Sequence, residues 1–450
     1  MPADHSFSLR HALHTLRDLL ATAAPFVLVA VALIVAAYLV LDPTPPRKVV
    51  LATGVDQGAY AEFGKRYAAL LKPYGITVEL RSTQGAAENL ALLRDEGSGV
   101  DLAFVQGGAD EALRAADANG DDATPLVSLG SLFYEPLWLF YRDAAAKRLL
   151  GADTLTSLSQ LPGWRVNIGA PGSGVPNLMR KLIDANRLDA KALTLLQQTQ
   201  TPAVMALLAG DIDALVFASA PESVMVQMLL QTPGVKLFDF AQAEAYSRRF
   251  PFMSPVTLPR GVVYLARDLP PQDVRLVAPT ATLVARAGTH PALIQLFVQA
   301  AQQIHGGAGW FQRKGEFPNV SNTERPLAKE AQRFYQSGAP LLQRYLPFWL
   351  ANLIDRMWPV LLSIVAVLIP MSRMVPPLYE FRVRRRIFRW YGQLQALESA
   401  RGRRPADELK RELDGIEHRV AHINVPLSYA DELYALRGHI DLVRQKLATA

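Results

Sequence analysis

The 450-residue chain has no cysteine, which excludes a disulfide framework and any thiolate metal site. Its eight histidines do not make up for this. His5, His11 and His14 precede a long apolar run, and His418, His422 and His439 lie towards the C-terminus. Only His290 and His305 fall in the middle, and neither has carboxylates at metal-ligand spacing. His418 and His422 are four apart, but the glutamate of an H-E-x-x-H motif is missing, so a solvated helix face is expected there. Charge of one sign is scarce where a nucleic-acid-binding core would need it. The net charge is +6, yet residues 371–450 alone hold 15 Lys/Arg against 10 Asp/Glu. Residues 1–24 and 349–370 are each neutral, which leaves +1 for the rest. The basic surplus belongs to the tail, and no nucleic-acid partner is expected.

Two apolar runs are present. Residues 19–41 carry no charge, and residues 25–41 are almost wholly Ala, Val, Leu and Ile, long enough to cross a bilayer as a helix. The polar lead is long, and Tyr38-Leu39-Val40-Leu41 stands where a signal peptidase would need small residues, so an uncleaved anchor is expected. The second run, 345–374, contains Asp355 and Arg356, which are costly in lipid and are therefore placed at the membrane surface. Residues 347–356, with Phe348 and Trp349, are expected along the interface, and 357–372 as the span. Arg373, Arg382, Arg384, Arg385, Arg386 and Arg389 follow, with only Glu380 against them. This bias places the tail, 373–450, in the cytoplasm; segment 1–24 then lies there too, and 42–346 outside it. The expected setting is a bacterial inner membrane, crossed twice, with the main domain in the periplasm.

Between the anchors the pattern repeats as strand, Gly/Ser/Thr turn, helix, which means a mainly parallel α/β sheet with ligands at the carboxyl ends of the strands. Residues 126–141 and 274–287 are two long extended runs suited to crossing between lobes. The expectation is a two-lobed clamp, with lobe 1 at about 47–133 and 280–344 and lobe 2 at about 137–275. The most informative turn follows the strand at 165–169: Gly172-Ser173-Gly174 leads into a helix, a geometry that favours a small anion. It is no phosphate-binding P-loop, since no Gly-Lys-Ser/Thr follows, and G-S-G is not a nucleophile elbow. No catalytic constellation, metal site or cofactor site stands out, so the chain is not expected to be an enzyme. Glu135 is expected to serve as a hydrogen-bond partner in a hinge rather than as a base.

Several motifs occur in one order: Leu51-Ala52-Thr53-Gly54, Gly58-Ala59-Tyr60, Glu88-Asn89-Leu90, Asp101-Leu102-Ala103-Phe104-Val105-Gln106, Leu132-Phe133-Tyr134-Glu135-Pro136, Gly169-Ala170-Pro171-Gly172-Ser173-Gly174, and Gly210-Asp211-Ile212-Asp213-Ala214. With them the chain resembles the TAXI-type solute receptors of TRAP transporters, within the periplasmic-binding-protein-like superfamily. The resemblance implies a type II two-lobed clamp that captures a small carboxylate or amino acid and passes it to a TRAP-type permease. It also implies the binding residues. The first loop gives Thr53, Gly54, Gln57, Gly58 and Tyr60, and the second gives Thr83, Gly85 and Asn89. The third gives Gln106, and the hinge Tyr134 and Glu135. Lobe 2 gives Pro171, Gly172, Ser173 and Gly174, then Phe217 and Ser219. In the tail, 406–423 and 429–447 carry apolar residues at helical spacing on either side of Val425-Pro426, so a helical hairpin is expected. It would position or oligomerise the protein, or make it a transmembrane ligand sensor that signals through the tail.

Overall fold

The computed structural model describes residues 5–41, 44–56, 58–109, 125–221, 223–339, 341–423 and 427–448. The chain divides into two compact units, Thr44–Asn352 and Met1–Pro43 with Leu353–Ala450.

In the first of these units, β1 (Lys48–Ala52), β2 (Thr77–Arg81), β3 (Leu102–Gln106) and β4 (Leu126–Tyr134) belong to one lobe. β5 (Leu137–Arg142), β6 (Arg165–Asn167), β7 (Thr194–Leu196), β8 (Ala214–Ala218) and β9 (Val235–Leu237) form the other, and β10 (Met253–Leu258) and β11 (Val274–Arg286) return towards the start. The first sheet runs β2-β1-β3-β11-β4, with β10 beside the first half of β11. The second runs β7-β6-β8-β5-β9. The two orders are the same in kind: three parallel strands, then an antiparallel strand arriving from the other lobe, then an edge. The chain therefore crosses at residues 134–136 and again along β11, as the two extended runs suggested. Residues 274, 276, 277 and 278 of β11 pack in the second lobe's core, whereas 281, 283 and 285 pack in the first.

Strand periodicity explains how the first sheet is covered on both faces. Leu102 and Phe104 of β3 point into a core with the helices Ala59–Leu71 and Pro291–His305, while Ala103 and Val105 point to the opposite core with the helix Ala86–Arg94. The second sheet is clamped at the amino ends of β6 and β8. There the Arg165 guanidinium donates to Asp213 Oδ1 and to the Gly210 carbonyl, both at 2.8 Å. The Gly210–Ala214 motif thus fixes strand register at the end of the sheet away from the carboxyl ends.

In the other unit, the N-terminal helix runs without a break from His5 to Leu41, and Val27, Leu28, Leu39 and Val40 are exposed. The expected interfacial segment 347–356 and span 357–372 belong, from Phe348 onward, to a single helix, Phe348–Ser372, with Asp355 and Arg356 inside it. Adjacent opposite charges do not by themselves interrupt backbone hydrogen bonding, so they mark no helix end. Both helices are long and apolar enough to cross a membrane. The tail is a three-helix arrangement, not a hairpin alone. Ile387, Trp390, Leu394 and Leu397 of Val375–Ser399 share a core with Leu409, Leu413, Ile416 and Val420 of Ala406–Ala421 and with Leu436, Ile440, Val443 and Leu447 of Ala430–Ala448. The third partner is easy to miss because arginines surround its apolar stripe.

The first lobe's loops are knotted together by Asn89, which is fully buried. Its amide donates to the carbonyls of Thr53 at 2.5 Å and Phe104 at 2.8 Å, and its oxygen accepts from Thr83 Oγ1 at 2.7 Å. Removing such a group leaves buried acceptors without a donor. Asn89→Ala is expected to lower unfolding stability by about 3 kcal/mol, read by thermal denaturation; a loss below about 1 kcal/mol would mean the knot is dispensable.

Candidate functional site

A cavity of about 90 Å³ lies between the lobes at the carboxyl ends of the strands. Four helices begin at its wall: Ala59–Leu71, Ala86–Arg94, Val175–Ala185 and Gln200–Ala209. None has a side-chain cap, because Gly58, Gly85 and Gly174 cannot supply one and Thr199 makes none. Each helix start leaves backbone N–H groups without intrahelical partners and carries the positive end of a dipole. The four converge on one small space, which suits a negatively charged group. The remaining wall is largely apolar: Val55, Val175, Leu215 and the ring of Phe217.

Among the described residues, no Lys, Arg or His lines the cavity, and the ionisable wall residues are Glu135 and Tyr60. Glu135 sits at the first crossing, 5 % exposed, and accepts a 2.7 Å hydrogen bond from the Tyr60 hydroxyl. The Tyr60 ring stacks on Phe104 with centroids 5.0 Å apart, which holds the hydroxyl in place. Burial pushes the Glu135 carboxyl up to about 7, with contacts from Tyr60 and Gln106 partly opposing. The Gln106 contact falls short of a well-formed hydrogen bond, and both amide atoms lack a partner of good geometry. Burial, and then the Glu135 charge, raise the Tyr60 hydroxyl well above its ordinary value, so it stays a donor.

The lobes touch across this space. A Cβ on Gly172 would come within 2.8 Å of Gln84 Cβ, and one on Gly85, whose φ is +131°, within 3.1 Å of Ser173 Cα. Only glycine permits that approach. Lys181 Nζ also reaches the Gly108 carbonyl at 3.5 Å. The clamp is closed.

Of the residues expected from the sequence, Gly54, Gly58, Tyr60, Gly85, Glu135, Ser173, Phe217 and Ser219 line the cavity. Thr53, Thr83 and Asn89 lie beneath it, their polar groups spent on one another and on backbone. Gln106 is buried behind Gly174, Gly172 and Gly174 belong to the contact between lobes, and Pro171 is exposed. Tyr134 points away, its hydroxyl 3.2 Å from Glu316 Oε1. Gln57 lies outside the described residues. Sequence reasoning missed Asn167, Thr199 and Gln200, which also line the cavity. Each ends a strand or opens a helix on the ligand side of the sheet, and that position was the available signal.

The family model described as NMT1-like matches residues 51–336, and so takes in both lobes and every wall residue of the cavity. The chain belongs to the NMT1-like family. Its fold is the periplasmic-binding-protein-like clamp, here continued into two apolar helices and a helical tail. Among solved structures, this NMT1-like chain is similar to the alkanesulfonate-binding protein SsuA from Xanthomonas axonopodis pv. citri bound to MOPS, with 15 % identity, 58 % of this chain and 73 % of that one covered, and a TM-score of 0.38. It is similar to the periplasmic aliphatic sulphonate binding protein SsuA from Escherichia coli, with 15 % identity, 75 % and 93 % covered, and a TM-score of 0.36. A putative methionine-binding lipoprotein from Bacillus subtilis subsp. subtilis str. 168 matches at 14 % identity, covering 57 % and 90 %, with a TM-score of 0.32. No curated protein matches the chain.

Glu135 makes stability depend on pH with a definite sign. Its folded value of about 7 lies above the ordinary 4.5, so the native state keeps a proton that the unfolded chain releases between those values. Stability is expected to fall as pH rises from about 4.5 to 7, by at most about 3 kcal/mol. Glu135→Gln keeps an acceptor for Tyr60 and should flatten that slope in thermal melts; an unchanged slope would show that Glu135 titrates normally.

Proposed function

We propose that this chain is a membrane-anchored solute-binding receptor that captures a small carboxylate or amino acid by closing its two lobes around it. The observation that carries the reading is the convergence of four uncapped helix N-termini on one interlobe cavity. Backbone N–H groups receive the carboxylate, and the apolar wall with Phe217 holds the carbon skeleton. An ammonium group on the ligand would meet Glu135. Binding favours the closed state by the difference in affinity between closed and open forms, as in other hinged clamps.

In this reading the helices around residues 25–41 and 357–372 span the inner membrane, the Thr44–Asn352 unit lies in the periplasm and both termini are cytoplasmic. The captured solute passes to a permease of the TRAP type, as the TAXI-like motifs suggest. The tail's own three-helix core favours a second reading, in which the protein is a sensor and the tail changes its interactions or oligomeric state when the cleft closes.

The test is thermal unfolding of the full chain in detergent against dicarboxylates, 2-oxoacids and amino acids. A ligand bound only by the folded state at about 100 times its Kd adds about 2.7 kcal/mol. At least one class is expected to raise the midpoint. Ser173→Tyr, which fills the cavity from the lobe 2 loop, should abolish that shift while the ligand-free midpoint stays close to the parent's. A shift that survives Ser173→Tyr would place binding elsewhere.

A further inference from the structure

A second cavity, of about 190 Å³, lies behind the first crossing. The two cavities are back to back. Glu135 and Ser219 line the cleft, whereas their chain neighbours Tyr134 and Ala220 line the second cavity. Successive residues of extended chain face opposite sides, so a single crossing forms a wall of both. The outer wall is a strap that follows the helix Pro291–His305. That helix packs in the first lobe's core, yet Trp310 and Phe311 pack on the second lobe's core, the Phe311 ring 6.0 Å from Trp138. The strap then returns to the first lobe, where Asn319 N donates to the Ser131 carbonyl at 3.0 Å. It is a third link between the lobes, and the cavity lies under it.

The lining specifies a chemistry. Phe63, Phe133, Trp310 and Phe311 supply aromatic walls. His305 is 3 % exposed, and its Nε2 has no hydrogen-bond partner. Burial, followed by the nearby Arg66 charge, drives this imidazole down to about 3, so it is a neutral hydrogen-bonding group at physiological pH. Arg66 also lines the cavity, its guanidinium 5.4 Å from the Phe63 ring centroid. Its ion pair with Glu62 is long, at 3.9 Å, and its side chain is about half exposed. A cationic ligand would be repelled by Arg66, and a wholly apolar one would leave His305 unpaired.

We propose that this cavity is a second binding site, for a small aromatic acid whose ring lies between the aromatic walls, whose carboxylate pairs with Arg66 and whose polar substituent pairs with His305. Its walls come from both lobes and from the strap, so an occupant engages the parts that move when the clamp opens. Among the described residues, the site shares no lining residue with the solute cleft.

The probe is 4-hydroxybenzoate, with benzoate as its comparison, titrated calorimetrically into the full chain in detergent. Saturable binding is expected, tighter for the hydroxylated acid. Arg66→Gln, at a half-exposed position that leaves the core intact, should weaken it about tenfold or more. His305→Phe should remove the preference for the hydroxyl. Ser173→Tyr, which fills the solute cleft, should leave the affinity within about twofold. No saturable binding of either acid would overturn the proposal. So would binding that survives Arg66→Gln but is lost in Ser173→Tyr, because the probe would then occupy the cleft. Equal affinity for the two acids in the parent protein would overturn the role given to His305.

Discussion

The structure depends on a carboxyl group buried where the chain first crosses between lobes. Glu135 lies in the two-residue link between β4 and β5, so the same residue is part of the hinge and part of the cavity wall. Isolating an ionised carboxylate there would be costly, and the molecule answers in two ways. Tyr60 donates a hydrogen bond from the first helix of lobe 1, and the carboxyl keeps its proton up to about neutral pH. Tyr60 in turn is held by Phe104 on the central strand. The hinge, the first loop and the sheet core are thereby joined through one hydrogen bond. Among the described wall residues none is a basic side chain, and the positive potential they provide comes from backbone: four helix ends face the same space. Such a site recognises charge through dipoles fixed by the fold, which need no reorganisation when a ligand arrives.

Much of this was legible in the sequence. The strand–turn–helix alternation showed because hydrophobic spacing switches between two and three to four residues. The first crossing showed because Glu135-Pro136 interrupts a long apolar run, and β11 because its run is too long for one lobe. The site was less legible. Thr53, Thr83 and Asn89 look alike whether their polar groups meet a ligand or the backbone, and here they meet the backbone. Tyr134 was placed beside Glu135 in the binding set, although neighbours in extended chain face opposite sides and cannot both point into one cleft. Asn167, Thr199 and Gln200 carry only a positional signal, the end of a strand or the start of a helix on the ligand side of lobe 2, and residue type alone does not distinguish them. In the tail, the apolar stripe from Ile387 to Leu397 was hidden by the arginines around it.

The two units follow different rules. The clamp is built from strands whose buried faces alternate, and turns at the carboxyl ends of its strands line the interlobe cavity. The other unit is entirely helical among the described residues, with exposed apolar side chains on both long helices and a small core in the tail. The tail's core gathers Leu, Ile and Val from three helices, with Trp390 at its edge, over which Arg389 and Arg419 lie at 5.1 and 5.3 Å from the ring centroid. A basic surface around an apolar core is consistent with work beside an anionic membrane face.

The central claim is that the two lobes close on a small solute, and the absence of cysteine makes it directly measurable. Ala91→Cys on lobe 1 and Asp184→Cys on lobe 2 would carry the chain's only two spin labels, both at exposed positions. Their distance distribution, taken by pulsed dipolar spectroscopy on the full chain, is expected to be broad without solute. It should narrow to a single short component when a carboxylate or amino acid that raises the melting midpoint is added. A distribution that stays the same with every such solute would contradict closure as the binding event.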